Sequence, residues 1–427
     1  MPLFNRQSPM APSIHTSIMQ SLRHIILTSI LLLLLVGCHK DENPLTRETR
    51  TVLVYMNAEN SLVGYSAYDI QEMMAGASQM ENGDHLIIYI DDLNAPRIYE
   101  LDKTNTVLSY SKLEPKYRFD SDLNSSDPET LNRVMQYVTS RHPADSYGIV
   151  FWSHGSAWLF DSNETTQAKQ REDSRRRSFG LDTQLNNTQP RGYKMYIPDM
   201  AEVLSRYPGI EYIMFDACFM QSIEVAYELR HCANYIIGSP AEILATGAPY
   251  NYILKHLFAN PFSPSNLINE YGDYYESTSD YGVVLSAIKT EAFDQYVETM
   301  RQLMPKYSWR DTDFFGCLKY YEYEWNNNLG VVVNMPDFFD IQGVMMRVLS
   351  TDDYARWQAS YTQLNIASYA TNYWLTVIGP TGKGAVMKVN HEQCSGVCMY
   401  LPLNCYQDET FYNDYEKTQW GQLFNIQ

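Results

Sequence analysis

The sequence predicts an α/β protein with a mostly parallel central sheet of about six core strands, covered by helices on both faces. Short apolar runs alternate with segments of helical periodicity from residue 51 to residue 289. These runs are apolar at nearly every position, which is typical of strands that are buried on both faces of a parallel sheet. The regular alternation of strand and helix indicates crossover connections between neighbouring parallel strands.

Each predicted element follows from its local pattern. The core strands are TVLVYMNAEN (51–60), HLIIYIDD (85–92), YGIVFWSHG (147–155), EYIMFDAC (211–218), NYIIGSP (234–240) and YGVVLSAIK (281–289). Helical spacing occurs at 66–78, 127–141, 197–207 and 220–233. The second of these opens with Asp127 before Pro128 and Glu129, which is a favourable helix start. Beyond residue 304 the periodicity weakens, and aromatic-rich stretches with short strand-like runs predict a C-terminal α+β extension at 305–427.

The charge of the chain excludes one class of partner. Its 427 residues carry a formal charge of −18, with 50 acidic and 32 basic side chains. Because phosphate backbones attract clustered lysine and arginine, this balance argues against nucleic acid as a partner. It fits a secreted or surface protein.

The N-terminal segment predicts export. A basic start precedes a mainly apolar stretch, Ile25 to Val36, which has the length of a secretion signal and is too short for a full membrane span. The stretch ends in Leu-Val-Gly-Cys, which resembles the lipobox of bacterial lipoproteins with Cys38 as the acylated residue. The charged residues after Cys38 resemble the tag of surface-exposed lipoproteins. We therefore expect a signal peptide at 1–37, a tether at 38–50 and an outer-membrane lipoprotein at the cell surface, or otherwise in the periplasm. An ordinary signal peptide or an uncleaved anchor is the alternative.

Two reactive residues follow neighbouring predicted strands. His154 closes the strand at 147–155, and Cys218 closes the next one, two residues after Asp216. Sites in parallel sheets lie beyond the carboxyl ends of the strands, so these residues are expected at one edge. A histidine can take the proton of a thiol because its pKa lies near neutrality. Each residue alone is more often structural, but the pair favours nucleophilic catalysis.

The residues around this pair resemble the clostripain family of cysteine peptidases. FWSHGSAW (151–158) and MFDACFMQSIEVAYEL (214–229) carry the family pattern of His-Gly after one strand and Asp-Ala-Cys after the next. The resemblance covers about residues 50–300 and implies a caspase-like three-layer fold, with the peptidase domain at 51–304. It also implies an endopeptidase whose partners are protein or peptide substrates.

Transferred by position, the resemblance gives each motif residue a role. His154 would be the general base and Cys218 the nucleophile, and the N–H groups of Gly155 and Cys218 would form the oxyanion hole. Asp216 matches the family aspartate that is linked to basic residues at P1, so cleavage after Arg or Lys is expected. The alternative for Asp216 is a structural acid that orients the turn.

Two further residues are assigned to the P1 pocket. Trp158 is kept from the family pattern, although Ser156 and Ala157 stand where the family often has glycines. Glu242 lies in GSPAEILATGAPYNY (238–252), which replaces a more common Gly- and Trp-rich stretch. Because of this replacement, the resemblance supports the peptidase activity more directly than it supports the preference for Arg or Lys.

The segment 162–194 between the two motifs is long and polar, and it is the most basic part of this acidic chain. The family matures by cleavage in this interval. The resemblance therefore implies self-cleavage after one of five basic residues, namely Lys169, Arg171, Arg175, Arg176 and Arg177. The two fragments would remain together because their strands share one sheet. A solvated basic loop is the alternative.

The sequence predicts no metal site and no required cofactor. The cysteines lack the paired spacing of a zinc site, and there is no EF-hand loop. Some members of the clostripain family need calcium, so the resemblance leaves a calcium ion open. The rival function is a non-catalytic surface lipoprotein that binds peptides or glycans through 34 tyrosines and seven tryptophans. The presence of both His154 and Cys218 argues against it.

Overall fold

The computed structural model describes residues 48–104, 109–158, 178–182, 193–278, 282–320, 323–326, 331–334, 337–376, 385–407 and 410–424. Its strands are β1 (Arg50–Asn57), β2 (His85–Asp91), β3 (Arg97–Leu101), β4 (Tyr117–Arg118), β5 (Ser146–Trp152), β6 (Ser178–Asp182), β7 (Tyr193–Tyr196), β8 (Ile210–Asp216), β9 (Tyr235–Gly238), β10 (Val284–Lys289), β11 (Tyr323–Asn326), β12 (Val331–Asn334), β13 (Phe338–Asp340), β14 (Asn365–Ala370), β15 (Tyr373–Thr376), β16 (Ala385–Lys388) and β17 (Cys398–Tyr400). Its helices are α1 (Val63–Gly76), α2 (Pro128–Arg141), α3 (Ile197–Leu204), α4 (Ile223–Glu228), α5 (Tyr250–Leu257), α6 (Pro264–Thr278), α7 (Phe293–Leu303), α8 (Ile341–Val348), α9 (Thr351–Leu364), α10 (Thr410–Tyr415) and α11 (Gln419–Leu423).

A nine-stranded sheet organises the chain, with the strand order β14-β10-β9-β8-β5-β1-β2-β3-β4. The five strands from β9 to β2 pair in parallel. At the two edges, β3 with β4 and β10 with β14 pair in antiparallel fashion. The predicted α/β class with a mostly parallel sheet is therefore confirmed, but the sheet has nine strands where about six were expected.

All six predicted core strands are present, as β1, β2, β5, β8, β9 and β10. The last of them runs antiparallel to its neighbour β9, which the apolar pattern did not indicate. Two of the sheet strands that were not predicted lack a continuous buried apolar run, since β4 is two exposed residues and β14 is largely half-buried. The predicted helices are present as α1 to α4, and the carboxylate of Asp127 caps α2 by accepting the N–H of Glu129 at 2.9 Å.

Two hydrophobic cores lie on the two faces of the sheet. Along β1, Val52, Val54 and Met56 pack into one core, which α1, α5 and α6 cover. Leu53 and Tyr55 pack into the other, which α2, α3, α4 and α7 cover. Successive side chains of a strand point to opposite faces, so both sets must be apolar. This three-layer arrangement explains the continuous apolar runs of the sequence.

The chain beyond residue 304 packs closely against the start of α4. The N–H of Cys398 in β17 donates to the carbonyl oxygen of Gln221 at 3.1 Å. The N–H of Tyr400 donates to the carboxylate of Glu224 at 2.8 Å. This portion therefore supports the segment that follows Cys218, while β14 forms one edge of the central sheet. The domain boundary after residue 304 stays a prediction.

The predicted export signal lies outside the described residues, which begin at Glu48 and so exclude Cys38 and the whole of 1–37. Within the described part of the chain, no helix combines the length and the apolar character that a membrane span requires. The six cysteines of this part are all free thiols.

Candidate active site

The carboxyl ends of β5 and β8 bring the two predicted motifs into contact. Trp152 and Asp216 are the last register pair of these strands, and both motifs continue directly from there. A Cβ atom on Gly155 would lie 2.5 Å from the backbone oxygen of Cys218 and 2.9 Å from the Met220 side chain. Because only glycine fits at this position, the backbone after His154 touches the backbone of Cys218.

A left-handed backbone conformation occurs after each reactive residue. Ala157 has a φ of 53° and Phe219 a φ of 63°. For residues other than glycine this conformation costs about 1 kcal/mol or more, so both turns are strained. Phe219 is buried, and its N–H donates to the carbonyl oxygen of Ala241 at 3.0 Å. The surrounding structure therefore holds the turn after Cys218 in a conformation that the residue alone would not prefer.

Asp216 ends β8 with its carboxylate buried under the loop between β9 and α5. Its Oδ2 accepts the N–H of Ala248 at 3.0 Å and the hydroxyl of Tyr250 at 2.8 Å. Its Oδ1 has no hydrogen-bond partner among the described residues, although Asp216 is only 5% exposed. Burial raises the pKa of Asp216 to about 6, and the two hydrogen bonds oppose this rise. One carboxylate oxygen is thus fixed in place and the other is left unpaired.

A second buried carboxyl group, that of Asp69 on α1, lies close to Asp216. A Cβ atom on Gly247, which has a φ of +62°, would be 2.8 Å from Oδ2 of Asp216 and 3.1 Å from Oδ2 of Asp69. The indole N–H of Trp152 donates to Asp69 at 2.6 Å. Burial and the neighbouring charge of Asp216 raise the pKa of Asp69 to about 9. Asp69 is therefore protonated at neutral pH and Asp216 is the charged member of the pair.

Comparison with known proteins decides the family of the chain. The sequence profile of the Clostripain family, peptidase C11, matches residues 54–425. The chain belongs to the clostripain family of cysteine peptidases. The family that the two sequence motifs indicated is confirmed.

Relatives of this clostripain-family chain include curated and solved proteins. Clostripain of Hathewaya histolytica is 23% identical over 235 residues, which are 49% of this chain and 42% of that relative. A secreted C11 cysteine protease from Bacteroides thetaiotaomicron, solved with an irreversible peptide inhibitor, is 28% identical with a TM-score of 0.71. An inactive zymogen C11 protease from Parabacteroides distasonis is 27% identical with a TM-score of 0.66. Both structural matches cover 88% of this chain and 98% of the solved chain.

Trp158 and Glu242, which were assigned to the P1 pocket together with Asp216, lie in different environments. Trp158 is 1% exposed and packs against Phe338, Tyr400 and Tyr415, so the structure places its indole in the core with the C-terminal portion. The structure does not bring Trp158 to an accessible pocket. Glu242 is half-buried, and its negative charge is one of the influences that raise the pKa of Cys218.

The hydrogen bonds of the dyad residues connect each of them to a neighbouring loop. Ser61, which follows β1, places its Oγ 2.9 Å from Nε2 of His154. The N–H of Ile243 donates to Sγ of Cys218 at 3.3 Å. Among the described residues, no hydrogen bond joins the thiol of Cys218 directly to the imidazole of His154. Neither Ser61 nor Ile243 could be identified from the sequence, since a serine in a loop and a backbone N–H carry no distinctive pattern.

The electrostatics of the site favour two neutral groups. Burial raises the pKa of the Cys218 thiol to about 12, the N–H of Ile243 lowers it, and Glu242 and Asp216 raise it further. Burial and the nearby charge of Lys194 lower the pKa of His154 below its usual value. At neutral pH the thiol of Cys218 and the imidazole of His154 are therefore both uncharged. This imidazole can accept a proton when the sulfur attacks.

The self-cleavage residues predicted in the segment 162–194, namely Lys169, Arg171, Arg175, Arg176 and Arg177, lie outside the described residues. Strands β6 and β7, which flank residues 183–192, form an antiparallel pair with each other. Gly180 of β6 donates its N–H to the carbonyl oxygen of His154 at 2.9 Å. Strand β6, which lies between the two motifs in the chain, is therefore in direct contact with the backbone of His154.

One cluster of possible metal ligands lies at the same edge of the sheet. Glu59, Asp91 and Asp122 each offer a carboxylate oxygen, and these oxygens lie within 4.8 Å of one another. No metal site could be predicted here from the sequence, because the three residues come from separate segments without a recognisable spacing. They fit a hard cation in their chemistry, since all three ligands are oxygen atoms.

Proposed function

We propose that this chain is a cysteine endopeptidase that uses a Cys218–His154 dyad. The observation that supports this most directly is the contact of Gly155 with the backbone of Cys218. It brings both side chains to the carboxyl ends of adjacent parallel strands, which lie about 4.8 Å apart. A peptide laid across this edge can reach the sulfur and the imidazole together.

The reaction follows the protonation states of the two groups. The sulfur of Cys218 bonds to the scissile carbonyl carbon while the thiol proton passes to His154. The carbonyl oxygen becomes an oxyanion, which the N–H groups of Gly155 and Cys218 stabilise. The C–N bond then breaks as His154 gives the proton to the leaving amine. Water attacks the thioester, gives a proton back through His154 and releases the carboxylic acid with the free thiol.

Ser61 acts in this proposal as a positioning residue. A tautomer with the proton on Nε2 of His154 donates to Ser61 Oγ and leaves the lone pair of Nδ1 for the thiol proton. The hydrogen bond also restrains the rotation of the ring. The thiol must leave its bond with the Ile243 N–H as the substrate binds, because the same sulfur cannot form both contacts at full strength.

The proposed P1 preference is Arg or Lys, selected by Asp216. Its unpaired and buried Oδ1 offers a ready acceptor for a cationic side chain. Asp69 is neutral at pH 7 and can accept or donate a further hydrogen bond in the same region. Glu242 adds negative charge at the loop near Cys218. A cation that enters this region gains a partner without the cost of separating an existing ion pair.

Fluorogenic peptides that end in Arg, Lys, Asp or Leu before the reporter group test this function. We expect hydrolysis of the Arg and Lys peptides and little hydrolysis of the other two. Cleavage after Leu or Asp alone would support the peptidase activity but would contradict the proposal that Asp216 selects the P1 residue. No cleavage of any peptide, even after trypsin has nicked the segment 162–194, would favour the non-catalytic binding protein.

The proposal includes export as a lipoprotein and maturation in the segment 162–194. Support comes from the apolar segment that ends at Cys38, and from the solved relatives, of which one is described as secreted and another as an inactive zymogen. Mass mapping of protein purified from native membranes reads both features. We expect a mature chain that begins at a lipid-modified Cys38. We also expect this chain to be cut after one of the basic residues of the segment 162–194. A fully active enzyme with an intact segment would reject the maturation step, and an unmodified Cys38 would reject the anchor.

A further inference from the structure

The first two turns of α1 carry two exposed tyrosines close to the dyad. Helix α1 begins two residues after Ser61, whose Oγ lies 2.9 Å from Nε2 of His154. Tyr65 and Tyr68 are three residues apart on this helix, so their side chains lie on one face. Tyr68 is 72% exposed and Tyr65 is 38% exposed. The dyad therefore has a large apolar surface within about two helical turns of its histidine.

The packing of the protein gives this surface no partner. Neither tyrosine side chain forms a hydrogen bond or a ring contact with another described residue. Gly64 lies beside them, and a Cβ atom there would meet no other atom within 4 Å. Glycine weakens a helix relative to alanine, and neither a close contact nor a left-handed φ requires it here. Gly64, Tyr65 and Tyr68, which we call the α1 tyrosine face, thus form an open surface that a second backbone can approach.

The reaction determines which part of a substrate passes this face, so the inference rests on the proposed function. His154 gives its proton to the leaving amine, and the residue after the scissile bond therefore lies beside the imidazole. Tyr65 follows Ser61 by four residues, or about 6 Å along a helix, and Tyr68 follows it by seven, or about 10 Å. An extended peptide rises about 3.3 Å per residue. These distances correspond to the second and third residues of the leaving segment.

We propose that the α1 tyrosine face binds an apolar or aromatic substrate side chain at P2′ or P3′, the second or third position after the scissile bond. A tyrosine ring offers a large and rigid apolar area while its hydroxyl group stays in water. Contact with a Leu or Phe side chain removes apolar surface from water on both partners. The face selects the leaving segment by this burial, and its selection is independent of the charge that Asp216 recognises at P1.

Internally quenched peptides with Arg at P1 test this subsite, because their leaving group is a peptide and not a reporter. Matched peptides carry Leu, Phe or Ser at P1′, P2′ or P3′ in turn, with Gly at the other two positions. In the wild type, Leu or Phe at P2′ or P3′ is expected to raise kcat/KM by about 10-fold over Ser, mainly through a lower KM. The same exchange at P1′ should have a smaller effect.

Variants of the two tyrosines decide the location of the subsite. Tyr65→Ala and Tyr68→Ala should each reduce the preference for Leu or Phe by about 3-fold, and the double variant should abolish it. Tyr68→Phe should retain the preference, since it keeps the ring and removes only the hydroxyl group. The matched control is Tyr373→Ala, because Tyr373 is 46% exposed and lies on β15, outside the central sheet. It should also retain the preference.

The possible failures of the subsite and of the proposed function are distinguishable. Equal hydrolysis of the Leu, Phe and Ser peptides by the wild type would overturn the subsite and leave the peptidase in place. A preference that persists in the double variant would overturn it as well. If Tyr68→Ala converted a dimer into a monomer in size-exclusion chromatography without changing the preference, the face would bind a second copy of the chain, and the subsite would again be rejected. Cleavage of none of the Arg peptides would reject the proposed function together with this inference.

Discussion

Cys218→Ala is expected to lower kcat for an Arg-ending peptide by about 10⁴-fold or more, because the reaction loses its only covalent route. His154→Ala should lower kcat by a similar factor, since the thiol then has no neighbouring base and its pKa is raised to about 12. The double variant should lose little more than either single one, because the two groups act as a unit. Both residues lie at the contact between the ends of β5 and β8.

Steady-state kinetics with the fluorogenic Arg peptide measure this effect, and circular dichroism checks that the variants remain folded. Cys405→Ala is the matched control, because Cys405 is a free and exposed thiol. It should keep full activity. Retention of more than about a tenth of the activity in Cys218→Ala would contradict the assignment of the nucleophile, given the size of the expected loss.

Asp216→Asn is expected to separate specificity from stability. The catalytic efficiency for Arg peptides should fall by about 10²–10³-fold, which corresponds to the loss of a buried charge partner. The variant should be at least as stable as the wild type. Its amide oxygen can still accept from Ala248 and Tyr250, and its NH₂ group replaces the unpaired Oδ1. A purely structural role for Asp216 predicts the opposite, with lower stability and no selective change between peptides.

The pH dependence of stability gives a second signature of Asp216. Its pKa is about 6 in the folded chain and 3.8 when unperturbed, so the folded state binds more protons between these values. Stability of the wild type should therefore fall, relative to Asp216→Asn, as the pH rises from about 4 to about 6, and the difference should stay constant above that. Tm measurements across this range test it, with Asp294→Asn as the exposed control. If the wild type instead lost stability relative to Asp216→Asn as the pH fell from about 6 to about 4, the assignment of a buried carboxyl group with a raised pKa would be contradicted.

The pattern of the sequence was sufficient for the central sheet and for the reactive motifs. A parallel strand that is buried on both faces must be apolar at every position, so β1, β2, β5, β8 and β9 can be recognised locally. His154 and Cys218 could be assigned to the same edge because the carboxyl ends of parallel strands share an edge. Chain connectivity and burial alone impose both conclusions.

The strand directions at the two edges could not be predicted in the same way. β10 has the same apolar run as a parallel strand but pairs in antiparallel fashion, because direction depends on the path of the connection and not on burial. β14 comes from far along the chain and is only half-buried, so it lacks the signal that marked the central strands. Which strand pairs with which is a long-range property that local periodicity does not contain.

Sequence by itself determined the α/β class, the two motifs and the family of this protein, since each is written in residues that are close together in the chain. Tertiary structure alone decided what those residues contact. It buried Trp158 against Tyr400, placed the Ile243 N–H on the thiol of Cys218, and set the carboxylates of Glu59, Asp91 and Asp122 within 4.8 Å of one another. The partners in each case come from separate segments, and only folding of the chain around one sheet brings them within reach.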